Sequence, residues 1–261
     1  MNSGRHKKSD DLNDSVVEHV RLYRMTIPEA AAQSLNQPLP VIKGAIDSLL
    51  RRGTLGNAPL YHNVNYVFVR KEKHRHKHTS NQLSDRSAIV SLATLLFCCN
   101  KDQKRELLRA DDFKKYFPDL YRPQHDRRYF IDHKADEPRL GFLRIDCGGS
   151  GRWSRIIDKS RRDFEAHRKD SAYAELIKQG LFEVHIIAPT ARKALRIQQA
   201  IPQTRKRSDE AIGVTAIPEL IHLMLSQPHF PPPVVGDQFA PAGAGKKSPL
   251  RLLANRRRKG L

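Results

Sequence analysis

The chain has 261 residues, enough to bury a core in one large or two small domains, and it carries 47 Lys and Arg against 28 Asp and Glu. A net charge of +19 selects a polyanion as partner, since every phosphate contact releases counterions. The longest apolar run, residues 88–99, is too short to cross a bilayer, and the polar start MNSGRHKKSDD lacks a signal's apolar core. The expectation is a cytoplasmic protein without a membrane partner. Its 3 cysteines, two of them adjacent at Cys98 and Cys99, match neither a disulfide framework nor a zinc site, and read as buried reduced thiols.

Residues 1–11 are polar and are expected to be disordered. From residue 12 the apolar positions Val16, Val17, Val20 and Tyr23 form a helical stripe. TIPE then opens a second, short helix: Thr26 as cap, Pro28 in the first turn, and Glu29 at capping-box spacing. A third helix, LPVIKGAIDSLLRRG, lines up Ile42, Ala45, Ile46, Leu49 and Leu50 and stops at Gly53. The β-rich GTLGNAPLYHNVNYVFV predicts a two-stranded ribbon, so residues 12–70 describe a winged helix-turn-helix.

With the apolar stripe of the third helix turned inward, Gln37, Lys43, Asp47, Arg51 and Arg52 face out, where such a helix meets duplex DNA. Tyr61, His62 and Asn63 sit at the wing. Residues 71–86 read as a basic linker, and its alternating His74, His76 and His78 as a solvated tract rather than a metal site.

Residues 87–226 form a second domain. SAIVSLATLLFCC is a buried helix, and ADDFKKYF a short amphipathic one. RRYFID and LGFLRID are strands, and GRWSRIIDKSRRDFEAHRKDSAYAELIKQG is a long helix broken near Asp170 and Ser171. LFEVHIIAP is a buried strand, TARKALRIQQAIP a helix capped by Thr190, and IGVTA and IPELIHLMLS a last strand and helix. Strands that pair and then alternate with helices predict an α/β (α+β) fold, a mixed sheet flanked by helices. Residues 227–261 turn Pro-, Gly- and Ala-rich and end in a basic, acid-free segment, expected to be a disordered tail that grips phosphates. Trp153 is expected in the core.

Two carboxylates close the two neighbouring strands, Asp132 after YFI and Asp146 after FLRI. They are either ordinary strand-end residues or ligands of a divalent cation, which takes one or two carboxylates plus water and phosphate. Arg144 shares the strand face of Asp146, Arg155, Lys159 and Arg162 recur along one side of the following helix, and Arg152 near that helix's start could meet a phosphate.

The winged helix, YFID…LGFLRIDCGG, the long helix, FEVHIIAPTARKALRIQQAI and the final strand–helix together resemble the replication-relaxation family of bacterial plasmid proteins. Those belong by fold to the restriction-endonuclease-like, PD-(D/E)XK, group. The resemblance spans residues 13–225 and includes Thr190 and Arg192 in TARKAL. It implies a role in plasmid or mobile-element replication or maintenance, with Asp132 and Asp146 at a nuclease-like site. The chain departs from the active pattern where that group has an acid and then a lysine: here stand Arg144 and then Asp146. A guanidinium stays protonated and cannot act as a base. The expectation is therefore a protein of double-stranded DNA whose nuclease-like domain does not cut, working as a homodimer or with replication proteins. One rival is a Mg2+-dependent endonuclease using Asp132, Asp146, and Lys159 or Arg144. The other is a winged-helix transcriptional regulator whose second domain dimerises.

Overall fold

A computed structural model describes residues 3–61, 64–70, 83–100, 104–121, 128–133, 137–147, 153–201 and 211–226. The expected linker lies mostly, and the expected tail wholly, outside these residues, as do His62, Asn63, His74, His76, His78 and Arg152.

Helix α1 (Ser3–Tyr23) begins well before the apolar stripe, so the disorder expected for residues 1–11 is corrected for residues 3–11, and residues 1 and 2 lie outside the described residues. A polar turn continuing an amphipathic helix has no apolar periodicity, and pattern alone cannot mark its start. Next come α2 (Pro28–Ser34) and α3 (Leu39–Arg51), separated by a turn in which Asn36 takes φ 50°, a conformation Asn tolerates. Val16, Val17 and Val20 pack with Ala31, Ile42, Ala45, Ile46 and Leu49 in a small core. Strands β1 (Leu55–Tyr61) and β2 (Val64–Val69) pair antiparallel and close it with Leu55 and Val67.

Thr26 does not cap α2. Its backbone forms a single antiparallel bridge to Val67 at the side of the two-stranded ribbon, and its hydroxyl meets His19 Nε2 at 2.9 Å, so Ile27 holds the cap position without a side-chain bond. Burial depresses the His19 pKa from 6.5 to about 4. The unfolded chain then binds a proton between those values that the folded chain refuses, so stability falls as pH drops through that window. At 1.36 kcal/mol per pH unit, unfolding in urea should cost about 2 kcal/mol less at pH 5 than at pH 7 from this group. His19→Gln should flatten that slope; an unchanged slope would remove His19 as its source.

The second unit opens with α4 (Asp85–Cys98), which starts inside the expected linker. A five-stranded sheet follows in the order β3 (Arg105–Leu107), β4 (Tyr129–Asp132), β5 (Arg139–Ile145), β6 (Phe182–Ala188) and β7 (Ile212–Ala216). Pairing is antiparallel from β3 to β5 and parallel from β5 to β7. The parallel steps run through α6 (Ser154–Lys169) with α7 (Ser171–Lys178), and through α8 (Ala191–Ala200). Asp170 caps α7, accepting from the Ala172 N–H at 3.1 Å. Strand β3, three residues long, is too short to show a period.

Alternation along the strands divides the sheet's faces. Leu140, Phe142, Val184 and Phe182 pack under Phe164 and Tyr173 and under Phe113 of α5 (Ala110–Tyr116). Phe130, Leu143, Ile145 and Ile187 face α4 and α9 (Glu219–Ser226). On that second side Tyr23, Met25, Ala58, Leu60 and Tyr66 of the N-terminal module join the same core. Tyr61 also stacks on His222 of α9, ring centroids 5.8 Å apart. The ribbon is thus docked on the sheet unit, and the two predicted domains share one apolar interface.

Candidate nucleic-acid interface

Docking buries one side of the module and leaves the outward side of α3 open. Lys43, Gly44, Asp47, Arg51, Arg52 and the preceding Gln37 are all exposed, and Val41 is 45% exposed. The charged side chains are lightly held. Lys43 reaches Glu29 only at 4.0 Å with both more than half exposed, a pair of little strength, and Arg51 leans on the Asp47 carbonyl at 3.4 Å. Gly44 faces solvent in mid-helix, and a Cβ there would meet nothing within 4 Å. Packing does not demand this glycine, and it leaves the helix backbone accessible to a close-fitting partner.

The two strand-end carboxylates do not meet. Asp132 pairs across from Arg139, at the start of β5, while Asp146 follows the end of that strand. Seven residues of extended chain separate the two levels by about 23 Å. They also serve opposite sides of the sheet. Asp132 accepts from Arg105 Nε at 3.0 Å, and that guanidinium lies 3.8 Å from the Phe97 ring of α4. Asp146 is paired with Lys193 of α8 at 2.5 Å. Antiparallel pairing is the cause: acids closing two successive hairpin strands end at opposite edges. A shared site for Mg2+ on Asp132 and Asp146 is therefore corrected, because these residues do not fit one ion. Among the described residues no group of three His, Cys, Asp or Glu is placed to hold a metal.

Arg144, the proposed catalytic cation, is turned to α6, where Asp163 takes both its Nε, at 2.7 Å, and its Nη2. It neither pairs with Asp146 nor faces open space. Lys159 behaves differently. Cys147, next to Asp146, has its thiol pKa pushed up by burial, while Arg86 at the start of α4 and Lys159 pull it back. Cations from three helices thus influence the Asp146–Cys147 pair at the carboxyl edge of the parallel strands, Lys193 at Asp146 and Arg86 and Lys159 at Cys147. That edge is where open α/β sheets hold ligands. Such a surplus of positive charge can take a phosphate; with Asp146 already paired, it offers no second acid for hydrolysis.

Trp153 is 41% exposed at the start of α6, against the expectation of core packing. Val41, Trp153 and the basic residues lie outside the apolar clusters, so surface chemistry and not burial governs them.

Family models, curated proteins and solved structures give no match to this chain. Function rests on its own geometry.

Several of these residues escaped the sequence reading. Lys193 had a usable signal: it stands three residues after Thr190, whose hydroxyl accepts from the Lys193 N–H at 3.1 Å, and such a first-turn residue overlies the preceding strand's end. Arg105 had none, since its strand has three residues. His185 joins Glu183 at 2.9 Å through Nδ1 and Thr215 at 2.8 Å through Nε2. That order imitates a hydrolytic relay, but the ring is buried between Phe97 and Phe130 beneath α4, where it ties β6 to β7. His167 is likewise structural: Nδ1 donates to the Asp163 carbonyl at 2.7 Å, leaving Nε2 to accept from the Tyr129 hydroxyl at 2.8 Å. Burial holds its pKa low, consistent with this neutral form.

Proposed function

We propose that the chain is a duplex-DNA-binding protein in which α3 approaches the major groove and the sheet unit serves binding rather than cleavage. The observation that carries this reading is the open outward face of α3. The module buries its other side against α4 and α9, yet Lys43, Asp47, Arg51 and Arg52 stay exposed around a glycine that leaves the helix backbone bare. Lys and Arg suit guanine edges or phosphates, Asp accepts from the cytosine amino group, and an exposed Val suits a thymine methyl. Net charge +19 supplies the nonspecific attraction.

The resemblance to replication-relaxation proteins adds the context of plasmid or mobile-element replication or maintenance, with a restriction-endonuclease-like unit as scaffold. A mixed sheet with helices on both faces is compatible with that scaffold. The rival endonuclease reading loses support from the separation of Asp132 and Asp146 and from the capture of Arg144 by Asp163. No helix of the described residues is long and apolar enough to cross a membrane.

A gel-shift titration of the full chain on duplex DNA from 50 to 200 mM salt tests the reading. Affinity should fall by about a thousandfold or more, as expected for six or more phosphate contacts. Salt-independent retention, or none at low salt, would refute it. Supercoiled DNA with magnesium should stay intact in the same preparation; nicking abolished by Asp146→Ala would restore the enzyme.

A further inference from the structure

Helices α6 and α8 leave the same edge of the sheet and pack side by side, with Arg161 of α6 reaching the Ile201 carbonyl just beyond α8. Their outward sides are basic. Arg155, Lys159 and Arg162 are exposed along α6, and Arg192 and Arg196 along α8. The acids of α6 are each engaged: Asp158 leans on Arg161, Asp163 holds Arg144 and Glu165 holds Arg168. Helix α8 has no acid at all. Among the described residues no carboxylate forms an ion pair with any of those five cations. Trp153 stands exposed at the end of α6 from which both helices depart.

We infer that this ridge is a second nucleic-acid surface, fitted to a single strand, with a base stacked on Trp153 and phosphates along α6 and α8. Charge alone would accept a duplex as readily. The indole decides, because an aromatic face can stack only on a base that is not already stacked and paired, and such stacking is insensitive to sequence. An adjacent pair of acid-poor helices supplies the cationic track that a strand's backbone follows. The surface is distinct from α3 and stands whether or not α3 reads duplex DNA. With both, the molecule holds duplex and an opened strand at once.

Trp153 is the only tryptophan, so its fluorescence reports this place directly. The full chain titrated with an oligothymidylate of about twelve nucleotides, within the usual site size, should show saturable quenching. Trp153→Ala, followed by anisotropy of a labelled strand, should weaken single-strand binding about tenfold. The variant Arg155→Gln, Arg162→Gln, Arg192→Gln, Arg196→Gln should weaken it at least as much and leave duplex binding within about threefold of wild type. Those substitutions are at exposed positions, and circular dichroism checks that the fold persists. Lys43→Ala with Arg51→Ala should spare the quenching. Absence of quenching, or equal loss of duplex and single-strand affinity in the ridge variant, would overturn the inference. Quenching by the single strand with no duplex binding would sink the α3 reading alone.

Discussion

Lys43→Ala combined with Arg51→Ala should lower duplex affinity at least about thirtyfold, because each contact to a base edge or phosphate is worth about 1–3 kcal/mol. Both side chains are exposed and weakly partnered, so thermal stability should hardly move. The salt slope should fall by about one for each of the two that meets a phosphate. A residue that reads a base instead relaxes preference at one position with little change in slope. Asp47→Ala separates these cases further: loss of an acceptor for cytosine weakens the preferred site but strengthens nonspecific binding, since a negative charge leaves the interface. Gel shifts on preferred and scrambled duplexes measure both. Unaltered affinity in the double variant would remove α3 as the reading element.

The largest stability effect is expected at Asp132. Its partner Arg105 is only 6% exposed in its side chain, pressed on Phe97, so Asp132→Ala leaves a buried guanidinium without its charge partner. Breaking a pair of this kind costs about 3–5 kcal/mol. Urea denaturation should show that loss, and DNA binding by the fraction still folded should be intact. Replacing both members by apolar residues, Arg105→Met with Asp132→Leu, should recover most of the loss, since the desolvation of two charges is relieved together. A metal ligand would behave otherwise: its loss would abolish stabilisation by added magnesium and would not be rescued by removing an arginine. A cost below about 1 kcal/mol for Asp132→Ala would show that the ion pair does not hold β3 to β4.

The helical stripes of α1 and α3, the stops at Gly53 and Gly180 (both at φ +72°), the break at Asp170 and the Thr190 cap were all legible, because each is a local relation within a few residues. The start of α1, the recruitment of Thr26 and the existence of β3 were not. Thr26 carries a good capping signal, yet its backbone bridge to Val67 and its hydroxyl's bond to His19 draw it away from the helix end. Two acids that close consecutive antiparallel strands lie at opposite edges whatever the twist, so hairpin pairing already argued against a shared ion.

By itself the sequence determined the +19 net charge, the N-terminal helices α1 and α3 with the outward charges of α3, and the alternation that makes a mixed sheet flanked by helices. Those follow from charge count and periodicity, which need no knowledge of distant neighbours. Only the tertiary structure decided which cation meets which acid: Lys193 with Asp146, Arg105 with Asp132, Asp163 with Arg144. It also decided that the ribbon docks on α9 and that Trp153 faces out. Ion pairs and docked faces join residues far apart in the chain, and their energies depend on burial, which exists only once the layers have packed.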